Sequence, residues 1–329
     1  MQKNLNIFEI LRASRPISWL NTFVPFVIGY YLGGGAWDLP AYLAAFYFLI
    51  PYNLLVYGIN DVFDYESDIN NPRKGGVEGG LLTPAKNKQL LHVVLFVSVV
   101  SSGLLLLLGP LLAQVWLVFL VFMAAAYSVP KLRFKERAFI DSITSSTHFY
   151  APFVYGVLVT GSTTLYWAGL GSFVLWGVAS HALGAVQDIK SDKQAGIGSI
   201  ATVIGAKNTI VFSTVMYVFS ALLLLSYGLA GLCAAGIVLL YALNSGRYLS
   251  ITDQRAAKAR GAWKLFLRLN IYAGYMVSQL LIYVLNPTHA DPQTRLVAIS
   301  LTTIAGLAFG VAWAVTHVRL SEKYLLRNY

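Results

Sequence analysis

Apolar runs recur along the chain at short intervals, and nothing else in the sequence limits the fold as strongly. A helix of about 20 apolar residues crosses the roughly 30 Å hydrocarbon core of a bilayer. Runs of roughly this length fall near 16–34, 41–60, 90–109, 111–129, 139–160, 165–186, 209–226, 229–245, 267–285 and 296–317. The eighth is the shortest. Because 57% of the 329 residues are hydrophobic and only 12% charged, a soluble domain would expose large apolar patches. The expected fold is therefore all-α and polytopic: a bundle of about nine to ten transmembrane helices with an active-site cavity facing the cytoplasm. No linker or shift of composition divides residues 1–329, which read as one integral-membrane domain.

A net charge of +10 could signal nucleic acid, so the positions of the 24 Lys and Arg residues decide the matter. With ten spans, all but Arg295 fall at the two termini or in the loops after even-numbered spans. That asymmetry follows the positive-inside rule, so both termini and those loops are expected in the cytoplasm. The charge marks topology and an environment of membrane lipids, and a nucleic-acid partner is not expected. One cysteine, Cys233, excludes an internal disulfide. The first sixteen residues show no small-residue exit of a cleavable signal, so the first span is expected to be retained in a cytoplasmic membrane.

Against this apolar background, "YGINDVFDYESDINNPRKGG" (57–76) gathers Asp61, Asp64, Glu66 and Asp68 directly behind the second run. A helix continuing through residue 68 places Asp61, Asp64 and Asp68 within an arc of about 60°, with Asn60 one turn before Asp64 and Glu66 pointing elsewhere. A second cluster, "VQDIKSDKQAG" (186–196), follows the sixth run and puts Asp188 and Asp192 one turn apart. Four spans separate the clusters, so both emerge on one side, and the spacing hints at two related four-helix halves. Carboxylates so crowded repel unless a cation holds them, and all-oxygen donors without His or Cys favour Mg2+. Mg2+ shares its shell with phosphate oxygens, so two clusters suggest a diphosphate clamped between them. Arg73, Lys74, Lys131, Lys190 and Lys193 are placed to neutralise phosphate charge, although topology alone also explains Arg73 and Lys74. A solvated acidic loop is the plain alternative; charged residues adjoining a membrane favour function.

These residues carry a resemblance. "NDVFDYESD" resembles the NDxxDxxxD motif of the UbiA superfamily of intramembrane prenyltransferases, "DIKSD" its DxxxD motif, and "YSVPK" (Tyr127 to Lys131) its YxxxK motif, all in the expected order. The resemblance implies that Asn60, Asp61, Asp64, Asp68, Asp188 and Asp192 hold Mg2+ and a prenyl diphosphate donor, and that the five aspartates carry the catalysis. It implies further that Tyr127 and Lys131 contact the diphosphate or its leaving group. The reaction would ionise an allylic carbon as pyrophosphate departs and trap the cation on a hydrophobic, lipid-like acceptor, in a pocket poor in water. "PRKGG.EGG" resembles the lycopene elongase branch, which adds five-carbon units from dimethylallyl diphosphate to lycopene; "GGLLTP" is similar to menaquinone-pathway members. The rival acceptors are accordingly an aromatic quinone precursor and a prenylated glycerol phosphate. Nine spans are usual for the superfamily, against the ten read here.

A secondary transporter is the alternative of a different class, yet its acids belong near mid-bilayer rather than at helix ends beside Lys and Arg. A silent lipid-binding protein would not need six motif ligands. Among the remaining residues, Arg15 reads as an anchor for the first span, with the phosphates as its other possible target. His148 and His181 read as packed, hydrogen-bonded core histidines, and Asp141 as a salt bridge to the preceding "KLRFKER". Residues 250–266 read either as a basic amphipathic helix at the interface or as a solvated loop.

Overall fold

The computed structural model describes residues 4–36, 38–65 and 82–285. Helix α1 (Ile7–Ala13) starts at a capping box: the Asn6 side chain takes the Glu9 N–H while the Glu9 side chain takes that of Asn6. A 3-10 turn at Pro16–Ser18 leads into α2 (Leu20–Leu32). Next come α3 (Leu39–Phe63), α4 (Pro84–Leu106), α5 (Leu111–Ser128), α6 (Ile140–Val159) and α7 (Trp167–Val186). The short α8 (Ile189–Ala195) precedes α9 (Ile200–Leu224), α10 (Gly228–Gly246) and α11 (Arg260–Leu285). Nine of the ten apolar runs coincide with these rods, and the tenth, 296–317, lies outside the described residues. Five stretches among the described residues are long and apolar enough to span a membrane, the last of which, Ile200–Gly246, is α9 and α10 joined through a 3-10 turn at Leu225–Tyr227. Helix α6 is not among the five because its first half is polar, and those polar residues, Asp141, Ser142, Thr144, Ser146, Thr147 and His148, are turned inward and buried. Its polar character belongs to the interior.

The closest helix pairs are α2 with α6, α7 with α9, and α9 with α10. Glycines explain the first. A Cβ on Gly29 would lie 2.1 Å from the Phe153 carbonyl oxygen, and one on Gly156 would lie 2.4 Å from that of Phe26. Small residues allow such backbone approach in a bilayer, where lipid tails remove the hydrophobic drive for helices to associate. Three apolar clusters result among the described residues. The largest, among α2 to α6, centres on Phe26, Tyr47, Phe48, Tyr52 and Tyr155; a second, among α7 to α11, on Tyr217, Tyr241 and Phe266 with Trp176 packed against them; a small third joins Ala221 and Leu224 of α9 to Ala234, Ala235 and Val238 of α10. Exposed Leu95, Phe96, Val99, Val115 and Phe122 on α4 and α5, and Val215, Phe219 and Leu222 on α9, form an outer surface suited to lipid.

Helix α3 departs from the regular rod that sequence spacing suggests. Ile50, before Pro51, is non-helical at φ −121° and ψ −60°. The chain then winds as a π-helix over Leu54–Gly58 before a last α-helical segment, Ile59–Phe63. Asp64, at φ −99° and ψ 3°, caps that segment, so the helix does not run on unbroken towards residue 68. A cavity of about 330 Å³ lined by Tyr30, Asp38, Ala41, Leu105 and Tyr155 opens at the opposite end of the bundle from Asp64. Residues 250–266 are helical rather than a solvated loop: a 3-10 helix, Asp253–Ala259, buries Ala256 and Ala259, leaves Arg255 and Lys258 exposed and runs straight into α11.

Candidate active site

The end of α3 brings Asn60, Asp61 and Asp64 together. Asp61 and Asp64 are only 4% and 8% exposed, and a buried carboxylate costs several kcal/mol unless it is paired and hydrogen-bonded. Both are paired. Arg15 Nη2 lies 3.0 Å from Asp61 Oδ1 and 3.4 Å from Asn60 Oδ1, its guanidinium 4.5 Å over the Tyr57 ring. Arg15 reaches this position from a left-handed backbone (φ 51°) between α1 and the Pro16 turn. It belongs to the acid cluster rather than to a membrane anchor. Asn60 Nδ2 donates to Asp64 Oδ2 at 2.7 Å and to Ser128 Oγ at 3.2 Å, which ties the motif to α5. Lys135 forms an ion pair with Asp64 Oδ1, and Arg133 Nη2 approaches the same oxygen at 3.4 Å while pairing with Glu136 at 2.5 Å. Burial pushes the Lys135 ammonium below the ordinary lysine range, the Asp64 charge opposes that shift, and Arg133 adds to it.

The cations that meet Asp64 therefore follow the YxxxK motif instead of ending it. Lys131 is exposed at φ 76°, and Arg133 and Phe139 are also left-handed, so the loop turns back and delivers Arg133 and Lys135 inward. Glu66, Asp68, Arg73 and Lys74 lie outside the described residues.

The second cluster is more open. Helix α7 stops at Val186, and Asp188 starts α8, with the Asp192 N–H bonded to the Asp188 carbonyl at 2.8 Å. The two acids thus stand one turn apart, as their spacing predicts, and both are half-buried. Gly196, left-handed at φ 72°, closes α8 while the Ile197 N–H reaches back to the Asp192 carbonyl. Ser199 Oγ donates to Asp192 Oδ2 at 3.3 Å. Lys190 is exposed; Lys193 pairs with Asp253 at 2.8 Å. The Ala206 N–H, foremost, and Lys193 hold the Asp253 carboxyl below the usual carboxylate range. Among the described residues, no three His, Cys, Asp or Glu side chains converge as a ready-made metal site.

Tyr127, near the end of α5, stands between two histidines. Its hydroxyl lies 3.2 Å from His181 Nε2, and its ring meets His148 edge to face at 5.5 Å. His148 Nδ1 lies 3.1 Å from the Tyr52 hydroxyl, and its buried Nε2 has no hydrogen-bond partner among the described residues. His181 Nδ1 lies 3.0 Å from Ser142 Oγ, which in turn lies 3.1 Å from Asp141 Oδ1. Asp141 corrects the sequence expectation. Fully buried, it accepts from the Ser142 N–H at 2.6 Å and the Ile200 N–H at 2.7 Å. Its partners are thus its own helix and the start of α9, where N–H groups are left over by the helix geometry, and no ion pair with the preceding basic run appears among the described residues.

Comparison with known proteins places the chain in a family. The chain is 46% identical over 275 residues to a lycopene elongase/hydratase of Corynebacterium glutamicum, covering 83% of this chain and 96% of that protein. It is 42% identical over 276 residues to the C(50) beta-cyclic carotenoids biosynthesis protein LbtBC of a Dietzia species, covering 82% and 63%. A UbiA homolog from Archaeoglobus fulgidus, solved bound to DMAPP and Mg2+, shares the fold at a TM-score of 0.58 and 16% identity, covering 82% of this chain and 99% of that one. Residues 22–272 match the model of the UbiA prenyltransferase family, and the chain belongs to that family.

Proposed function

We propose that this membrane-embedded prenyltransferase moves a dimethylallyl group from dimethylallyl diphosphate (DMAPP) to lycopene or a related carotenoid, releasing pyrophosphate. The observation that carries the acceptor is the 46% identity to an elongase/hydratase along 96% of that protein's length. Quinone precursors and glycerol phosphates remain the acceptors to test next.

Asn60, Asp61 and Asp64 with Asp188 and Asp192, joined by Asp68, are the proposed holders of Mg2+. Their donor set fits, being entirely hard oxygen and placed beside cations. When bound, the metal supplies charge stabilisation to the departing pyrophosphate. Arg15, Arg133 and Lys135 now neutralise Asp61 and Asp64; as a diphosphate arrives, the same groups are placed to share their charge with its oxygens. Tyr127, Lys131, Lys190, Arg73 and Lys74 complete the proposed diphosphate contacts. The apolar core behind them, rich in tyrosine and phenylalanine, keeps water from the allylic cation and offers π faces to it. The proposed location is the cytoplasmic membrane, with nine to ten spans, both termini in the cytoplasm and the acid clusters opening there. All but one of the Lys and Arg residues support that orientation.

The test is mass analysis of pigments from lycopene-accumulating bacterial cells expressing the chain beside its Asp64→Ala variant. New carotenoids heavier by one or two five-carbon units, absent from the variant, are expected. Unchanged lycopene with the protein present in the membrane would remove lycopene as the acceptor.

A further inference from the structure

The line of side chains from Asp141 to Tyr127 takes no part in holding the acid clusters. It joins three helices, α5, α6 and α7, and ends under the start of α9. Its polarity follows from counting protons. Asp141 Oδ1 accepts from both the Ser142 N–H and the Ser142 hydroxyl. A serine hydroxyl has one proton; with that proton on Asp141, Ser142 Oγ accepts from His181 Nδ1–H. The neutral imidazole then presents Nε2 as an acceptor, and the Tyr127 hydroxyl donates to it. Each donor along the line points towards the carboxylate, and the Tyr127 oxygen keeps its lone pairs for the other side. Tyr127 and His181 retain partial exposure whereas Asp141 has none, so the accessible end is the tyrosine. Tyr127 immediately precedes Ser128, whose hydroxyl oxygen accepts from Asn60 Nδ2 at 3.2 Å, so it sits beside the first acid cluster.

We propose that Tyr127, His181, Ser142 and Asp141 form the proton exit of the transferase. This deepens the reading above and rests on it. As the donor C–O bond breaks, its electron pair leaves with pyrophosphate, and the allylic carbon bonds to the π pair of an acceptor double bond. A cation remains on the acceptor. It is quenched either when a neighbouring C–H bond gives its electron pair to a new C=C bond, or when water adds and an O–H bond breaks. Both endings release one proton and oxidise nothing. The Tyr127 oxygen takes that proton while its own passes to His181 Nε2. The resulting imidazolium is stabilised by the Asp141 carboxylate through Ser142, in an interior where a charge pair interacts strongly. Tyr127 alone touches the reacting molecule; His181, Ser142 and Asp141 act through it as positioning residues. His148, which meets the Tyr127 ring edge to face, limits its rotation.

The experiment measures two rates in membranes supplied with DMAPP, Mg2+ and lycopene: pyrophosphate released and elongated carotenoid formed. His181→Gln preserves a donor and an acceptor at the two ring-nitrogen positions but cannot carry a proton. Its carotenoid-to-pyrophosphate ratio should fall at least about tenfold, the missing donor appearing as the five-carbon alcohol after capture by water. A merely structural defect would lower both rates together. A ratio equal to that of the unsubstituted protein overturns the proposal. Should His181→Gln fail to reach the membrane, Ser142→Ala decides. It leaves the backbone N–H groups on Asp141 and should lower the ratio about threefold; an unchanged ratio sinks the relay. Failure of the unsubstituted protein to release pyrophosphate would instead refute prenyl transfer itself.

Discussion

The two acid clusters are spelled alike and end helices at the same end of the bundle, yet they are held in opposite ways. Asp61 and Asp64 are buried among Arg15, Arg133 and Lys135, whereas Asp188 and Asp192 stand on a seven-residue helix, half open to the surroundings. The difference lies in what each aspartate does for the fold. The first pair closes charge networks that join the amino-terminal segment, α3 and the loop after α5; the second stands on a short helix tied to the start of α9 by Ser199 on Asp192 and to the segment before α11 by Lys193 on Asp253. One cluster is buried in the framework, and the other sits half open at its edge.

The comparison breaks most visibly at the first pair. Asp61→Ala or Asp64→Ala should lower prenyl transfer by about 10³-fold through lost charge stabilisation and also destabilise the protein by about 3 kcal/mol, because Arg15 or Lys135 is left buried without its carboxylate. Pyrophosphate release and thermal unfolding in detergent measure the two effects, and unaltered unfolding would contradict the framework role. Asp188→Ala should lower turnover by about 10²-fold yet cost only about 1 kcal/mol of stability, well below the loss at Asp61, because Asp188 is half-buried. A large stability loss there would erase the distinction.

Ser199→Ala removes both the hydrogen bond to Asp192 and the cap on the Thr202 N–H of α9, and should cost about 1–2 kcal/mol of stability and about fivefold in turnover. The smallest effect belongs to Lys193→Ala. Its ion pair with Asp253 is about half exposed, so the loss stays under about 1 kcal/mol. Asp253 adds a pH signature. Its folded pKa is depressed, so its contribution is present above the ordinary carboxylate pKa and is lost as pH falls through the lower folded value. An Asp253→Asn variant should therefore show a shallower loss of stability in acid, readable as a flatter dependence of unfolding temperature on pH below about 4.

Both acid motifs were legible because carboxylates are conspicuous in a chain with so few charges, and spacing alone set Asp188 and Asp192 one turn apart. The cations were less so. Lys131 drew attention as the end of a motif, but three left-handed residues between 131 and 139 bring in Arg133 and Lys135 instead, and no local pattern announces that reversal. Asp141 reads in sequence as a salt bridge to the basic run before it, because its partner at Ile200 is 59 residues away. His148 and His181 are packed and hydrogen-bonded, as read; what could not be seen was the serine and aspartate behind one of them. Arg15 reads in sequence as an anchor because nothing nearby requires it, and only folding brings it to Asp61.

The π-helical stretch in α3 acts as a phase adapter. One wide turn accommodates an extra residue, so the segment beyond it is rotated by about 100° relative to a continuous α-helix. The apolar part of α3 can thus face its neighbours in one phase while Asn60, Asp61 and Asp64 face theirs in another. Deleting a single residue from Leu54–Gly58 would leave a straighter rod, yet it would swing both carboxylates away from Arg15 and Lys135. In this helix the chemistry is carried as much by residue count as by residue identity.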